Sequence, residues 1–133
     1  ERLVLYGQSL GTTVAADVAS RRACGALILE SGLSSAAEMA AVVLPWLPRK
    51  AYVVGKNRFD SARKLSLVRV PVLITHGDPD AVIPVEQGRA LYKAANEPKK
   101  LLIFPGAGHN VHGNTGARYV GVVAEFIRGA VLR

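Results

Sequence analysis

Four short apolar runs, at residues 3–6, 26–29, 72–75 and 101–104, are separated by longer stretches of mixed polarity. Runs of this length, rich in Leu, Ile and Val and bounded by Gly, Pro or charged residues, read as strands buried on both faces. The intervening stretches change period. Near 12–20, 34–43, 85–95 and 116–131 the apolar residues recur every three or four positions, as one side of a helix does. Val14, Val18 and several small residues form the packing side of the first of these, and Val120, Val123, Ala124, Ile127 and Val131 that of the last. Strand and helix alternate, so the expected class is α/β. The sheet should be mostly parallel, of about four strands with helices on both faces, forming one domain over residues 1–133. Ser34 and Asp60-Ser61 each precede a helical stretch and read as helix caps, while Ser31 and Ser34, near the second strand end, are also placed to line a pocket.

Residues 44–59 interrupt the alternation with Pro45, Pro48, the only Trp and a cluster of cations. Two readings stand: a long crossover packed over the end of the sheet, or a partial lid in which Trp46 and Tyr52 form an apolar wall for an acyl group. Composition narrows the function classes. Half of the 133 residues are hydrophobic, enough for one core, and no run approaches the roughly 18 apolar residues of a membrane span. The net charge of +7 invites a nucleic-acid partner, but the cations are scattered and lack aromatic interleaving. No nucleic acid is therefore expected, although attraction to acidic substrates or a lipid surface, sensitive to salt, is compatible with the charge. Cys24 stands alone, which rules out an intrachain disulfide or a thiolate metal cluster, and its expected role is packing beside the second strand. The three histidines have no metal-ligand spacing, so neither a metal nor another cofactor is expected.

Candidate chemistry gathers at the carboxyl ends of the apolar runs, where open parallel sheets place their ligand sites. Gly7-Gln8-Ser9-Leu10-Gly11 follows the first run and leads into a helical stretch. A bare G-x-S-x-G is common by chance in a chain with 13 glycines, but here it has the strand before it and the helix after it that a nucleophilic serine needs. Such a turn strains the serine backbone, lifts Oγ above the sheet and leaves no room for a neighbouring Cβ. An acid and a base should follow in that order. The third run ends in His76-Gly77-Asp78-Pro79-Asp80, which offers two carboxylates, and the fourth in Pro105-Gly106-Ala107-Gly108-His109-Asn110. Gly106 and Gly108 give that loop the freedom to bring the His109 imidazole over the serine. His76, at the end of a buried strand, reads as a satisfied structural group, and His112 as a solvated one.

These three motifs, with Ala81-Val82-Ile83-Pro84 after Asp80, resemble those of the α/β-hydrolases, and within them the BEM46-like, or ABHD13/ABHD17-like, serine hydrolases. The resemblance implies Ser9 as nucleophile, Asp80 as acid and His109 as base, with hydrolysis of esters or thioesters through an acyl-enzyme. It selects Asp80 over Asp78, which is left to shape the turn by bonding its own loop backbone. The Leu10 N–H is the expected oxyanion donor, and Gln8 and Trp46 are the expected substrate-side residues. In complete folds of this type a second oxyanion donor comes from a loop upstream of the elbow. Here the elbow begins at Gly7, the chain opens on Glu1 and its only Met is Met39, so the expectation is the C-terminal portion of the fold without its upstream strands. Loss of one such donor costs on the order of 100- to 1,000-fold in turnover, and the Gln8 side-chain amide is the candidate substitute. The first strand would then have one unpaired apolar edge, so self-association as a homodimer through that edge or an uncovered sheet face is expected. The function expected is a serine carboxylesterase acting on small-molecule, short-chain acyl esters. The alternatives are a thioesterase or serine peptidase with the same triad, or a non-catalytic interaction fragment.

Overall fold

The computed structural model describes residues 2–48 and 58–132. Four strands, β1 (Val4–Gln8), β2 (Ala26–Glu30), β3 (Val72–Asp78) and β4 (Lys99–Pro105), form one sheet in the order β1-β2-β3-β4. Every neighbouring pair is parallel, with Leu5 opposite Leu27, Leu29 opposite Ile74 and Ile74 opposite Leu101. All five residues of β2 are buried, and Leu27 and Leu29 are wholly inaccessible to solvent. That is the environment its unbroken apolar run requires, since a central parallel strand is covered on both faces.

Helices α1 (Gly11–Arg21), α2 (Ala36–Val43), α3 (Ser61–Leu65), α4 (Val85–Ala94), α5 (Val111–Thr115) and α6 (Ala117–Val131) fill the connections. Leu27, Leu29, Val72 and Ile74 pack with Ala15 and Ala16 of α1, Leu65 of α3 and Leu91 of α4. Phe104 packs with Val111 and Tyr119 in a second cluster against α5 and α6. Successive strand residues point to opposite faces, so the two clusters lie on opposite sides of the sheet. The expected layered arrangement is therefore present, with helices on both faces.

Several local expectations change. In α1 the buried residues are Thr12, Thr13, Ala15 and Ala16, whereas Val14 is exposed. Small residues make the contact because α1 lies close against β1, and a valine there would hold the two apart. In α6 the packing side is Tyr119, Val122 and Val123, and Val120 faces solvent. That stripe is the same helical period turned by one residue, with the aromatic ring of Tyr119, 5.8 Å from that of Phe104, setting the register. Ser35, not Ser34, caps α2 by accepting the Glu38 N–H at 3.1 Å, and Asp60 caps α3 as expected by accepting the Arg63 N–H at 3.1 Å. Ser34 instead donates through both its N–H and its Oγ to Gln87 Oε1, tying the loop after β2 to α4. Of residues 44–59, Tyr52 and the cations at 49 and 50 lie outside the described residues.

Among the described residues β1 is an edge strand, paired only with β2. Leu3 and Tyr6 beside that edge are 57% and 47% exposed. No helix among the described residues is long and apolar enough to cross a membrane.

Candidate active site

The turn between β1 and α1 puts Ser9 at φ +53°, a left-handed conformation that a side chain rarely adopts. Three hydrogen bonds hold it there. Its N–H donates to the Glu30 carbonyl at 2.9 Å, and its own carbonyl accepts from the Thr12 N–H at 3.1 Å and the Thr12 hydroxyl at 2.6 Å. A Cβ on Gly7 would fall 2.5 Å from the Gly11 carbonyl oxygen and 2.8 Å from the Thr12 Cα, so the strand and the returning helix touch through backbone alone. Gly11 is different. A Cβ there would meet nothing within 4 Å, so the steric expectation holds for the first glycine of the motif and fails for the second. The contact is one-sided because Gly7 faces the helix while Gly11 turns away from the strand.

Asp80 follows β3 and has a wholly buried side chain. Its Oδ1 accepts the N–H groups of Val82 and Ile83, both at 2.8 Å, and its Oδ2 accepts His109 Nδ1–H at 2.8 Å. The turn-shaping role expected of Asp78 thus belongs to Asp80, the only one of the two whose carboxylate lies within reach of the loop amides. Asp78 is the exposed last residue of β3, and its backbone carbonyl accepts the Gly106 N–H. His109 Nε2 lies 3.0 Å from Ser9 Oγ. Because a carboxylate can only accept, the proton sits on Nδ1, and Nε2 is left as the acceptor for the serine hydroxyl. A Cβ on Gly77 would fall 1.9 Å from the Gly108 carbonyl oxygen, so the end of β3 and the loop before His109 are also in backbone contact. Gly108 itself turns at φ +67°.

The structure therefore brings Ser9, Asp80 and His109 together from the ends of β1, β3 and β4. Leu10 is the N-cap of α1 and has no side-chain cap, so its N–H lies at a helix terminus whose first amides lack intrahelical partners and whose dipole favours negative charge. Gln8 ends β1 immediately before Ser9. Trp46 is 75% exposed, and no ring contact or hydrogen bond joins it to Ser9 among the described residues. A groove of about 620 Å³ lies on the outer side of α1 and α3, lined by residues such as Val14, Asp17, Phe59 and Arg63. Ser9, Asp80 and His109 do not line it, and its Asp17 carboxylate is already paired with Arg21 and Lys64.

Two other histidines depart from expectation. His76 is buried and donates Nε2–H to the Ile83 carbonyl at 2.7 Å, with Asp80 Oδ2 also 3.2 Å away, but its Nδ1 has no partner. It is half satisfied because its ring edge faces Gly88 of α4, which offers no donor side chain. His112 is not simply solvated: its N–H donates to Glu30 Oε1 at 3.0 Å and its Nδ1 lies 3.1 Å from both carboxylate oxygens. Glu30, wholly buried, also accepts a hydrogen bond from the Tyr6 hydroxyl. Burial, followed by that bond, raises the Tyr6 pKa, and burial likewise raises that of Tyr119 beside it. Sequence reading missed Glu30. Its signal was a lone carboxylate ending the run at 26–29, where a buried strand would otherwise stay apolar.

The sequence profile of the family described as serine aminopeptidase, S33 matches residues 59–116. Human alpha/beta hydrolase domain-containing protein 17C is 41% identical over 112 residues, covering 83% of this chain and 32% of the human protein. The chain belongs to the α/β-hydrolases, and among them to the ABHD17-like group. An uncharacterised protein of Mycobacterium tuberculosis is 38% identical over 109 residues, covering 82% of this α/β-hydrolase chain and 38% of that protein. The fold is shared with the esterase domain of a Rhodothermus marinus protein, at a TM-score of 0.75 and 22% identity over 96% of this chain and 61% of that one. It is shared also with the acylaminoacyl peptidase of Pyrococcus horikoshii, at a TM-score of 0.81 and 19% identity over 98% of this chain and 24% of that one. This α/β-hydrolase chain spans about a third of the length of the curated relatives it matches.

Proposed function

We propose that this α/β-hydrolase is a serine carboxylesterase that cleaves short-chain acyl esters of small molecules through an acyl-enzyme on Ser9. The observation that carries the reading is one imidazole bridging two partners: His109 Nε2 is 3.0 Å from Ser9 Oγ while Nδ1–H donates to Asp80 at 2.8 Å. His109 takes the hydroxyl proton as Oγ attacks the acyl carbonyl, then returns it to the departing alkoxide. Asp80 holds the imidazole in the tautomer that leaves Nε2 free to accept, and stabilises the imidazolium. The Leu10 N–H, with the α1 dipole behind it, faces the developing oxyanion. Gln8 is the candidate for a second donor, and the exposed Trp46 for an apolar wall beside the acyl group. Water activated by His109 then hydrolyses the acyl-serine and regenerates the enzyme.

A panel of p-nitrophenyl esters of increasing chain length tests this reading. Turnover should be greatest for acetate to butyrate and should fall by about ten-thousand-fold or more in Ser9→Ala and His109→Ala. Equal background rates in all three proteins would leave the non-catalytic reading. A serine peptidase or thioesterase is the second reading, and the serine aminopeptidase description of the matching profile favours its peptidase form. Higher kcat/KM on aminoacyl amides or acyl thioesters than on oxoesters would select it. Self-association belongs to the same proposal, because the β1 edge bears exposed Leu3 and Tyr6. Sedimentation velocity at micromolar concentration should give a dimer, and a monomer alone would refute that part.

A further inference from the structure

Ser9 and His109 hang from β1 and β4, the two outer strands of the described sheet, and are 100 residues apart in sequence. No direct pairing joins those strands, so the distance between nucleophile and base has to be set through what lies between them. β3 supplies one fixture, the Asp80 carboxylate on the His109 ring. β2 supplies contacts to both loops. The Glu30 carbonyl accepts the Ser9 N–H at 2.9 Å on one side. On the other side, the Ser31 hydroxyl donates to the His109 carbonyl at 2.7 Å, and the Glu30 carboxylate accepts the His112 N–H at 3.0 Å.

Both residues carry marks of a specific arrangement. Glu30 is a wholly buried carboxylate, tolerated because Tyr6 and His112 donate to it. Ser31 is wholly buried at φ +49°, where glycine would be the easier residue, with its N–H bonded to the Thr75 carbonyl at 2.9 Å. A hydroxyl-bearing side chain at a position whose backbone favours glycine points to the bond that the hydroxyl makes.

We infer that Glu30 and Ser31 are positioning residues, a bracket at the end of β2 that holds the His109 loop at bonding distance from Ser9. The inference rests on the reading of Ser9 and His109 as nucleophile and base. Ser31→Gly separates positioning from stability, because it relieves the backbone while deleting the hydroxyl. Ser31→Gly and Ser31→Ala should each lower kcat on p-nitrophenyl butyrate by about ten- to a hundredfold with KM unchanged, the scale of a misplaced reacting group. The denaturant midpoint of Ser31→Gly should stay close to that of the parent, because relief of the left-handed backbone offsets the lost hydrogen bond. Glu30→Gln, which keeps an acceptor for the His112 N–H, should lose less kcat than Glu30→Ala.

A second readout needs no substrate. The His109 Nδ1–H held by Asp80 should give a far-downfield proton resonance in the unmodified chain and in Ser9→Ala, and this resonance should shift or broaden in Ser31→Gly. Wild-type kcat and an unmoved resonance in both Ser31 variants would overturn the bracket. If the unmodified chain hydrolyses no ester, the proposed esterase activity fails, and the resonance alone then decides the bracket: movement upholds it and constancy refutes it.

Discussion

At Asp80 a single carboxylate does two jobs with two oxygens: Oδ1 closes its own loop through the Val82 and Ile83 amides, and Oδ2 holds His109. Asp80→Asn would keep the loop bonds but can present an N–H donor to Nδ1, favouring the tautomer with the proton on Nε2. Esterase turnover should drop by about a thousand- to ten-thousand-fold with little loss of folding stability, measured by steady-state kinetics beside denaturant melts. The two motif glycines should behave differently. Gly7→Ala forces a Cβ into the Gly11 and Thr12 backbone and should cost about 1–3 kcal/mol, whereas Gly11→Ala meets open space and should be neutral or stabilising by up to about 1 kcal/mol in urea unfolding. Tyr6 provides a pH test. Its raised pKa means that the folded state holds the phenol proton more tightly than the unfolded chain does. The resulting stability is complete below the unfolded value of about 10 and declines as pH rises above it. Tyr6→Phe should therefore be less stable than the parent at neutral pH, by about 1 kcal/mol for the lost bond to Glu30, and the gap should close in alkaline melts.

Among the elements, the strands were the most readable because each carries an uninterrupted apolar run, and β2 and β3 are buried along almost their whole length. Leu29, wholly buried in β2 between α1 and α4, represents that class, and Leu29→Ala should lower unfolding free energy by about 2–5 kcal/mol in denaturant titration. Helix existence was readable and helix rotation was not. Val14 and Val120 are apolar yet face solvent, because close approach of α1 needs small residues and the ring of Tyr119 sets the α6 register. Cap positions slipped similarly: Ser34 and Ser35 are equally good caps in sequence, and only the buried Gln87 amide, which accepts from Ser34, decides between them. The site was legible to the extent that it lay in local motifs at strand ends. Glu30 escaped, and Ser31 and His112 were read as a pocket-lining and a solvated residue, because their partners are remote in sequence, His112 lying 82 residues from Glu30.

In the molecule as a whole, a parallel sheet collects at one end groups that sequence scatters: three strand ends deliver Ser9, Asp80 and His109, and the fourth bonds the loops on either side of it. The groove of about 620 Å³ on the outside of α1 and α3 does not include the three, so the chemistry is set by the strand ends and not by concavity alone. The central claim is that Ser9 is an activated nucleophile. Treatment with a fluorophosphonate, followed by peptide mass spectrometry, tests it whichever acyl group the enzyme prefers, because the reagent reports only serine reactivity. The account predicts one adduct, on Ser9, that disappears in His109→Ala. An unlabelled chain, or an adduct on a different serine, would contradict it.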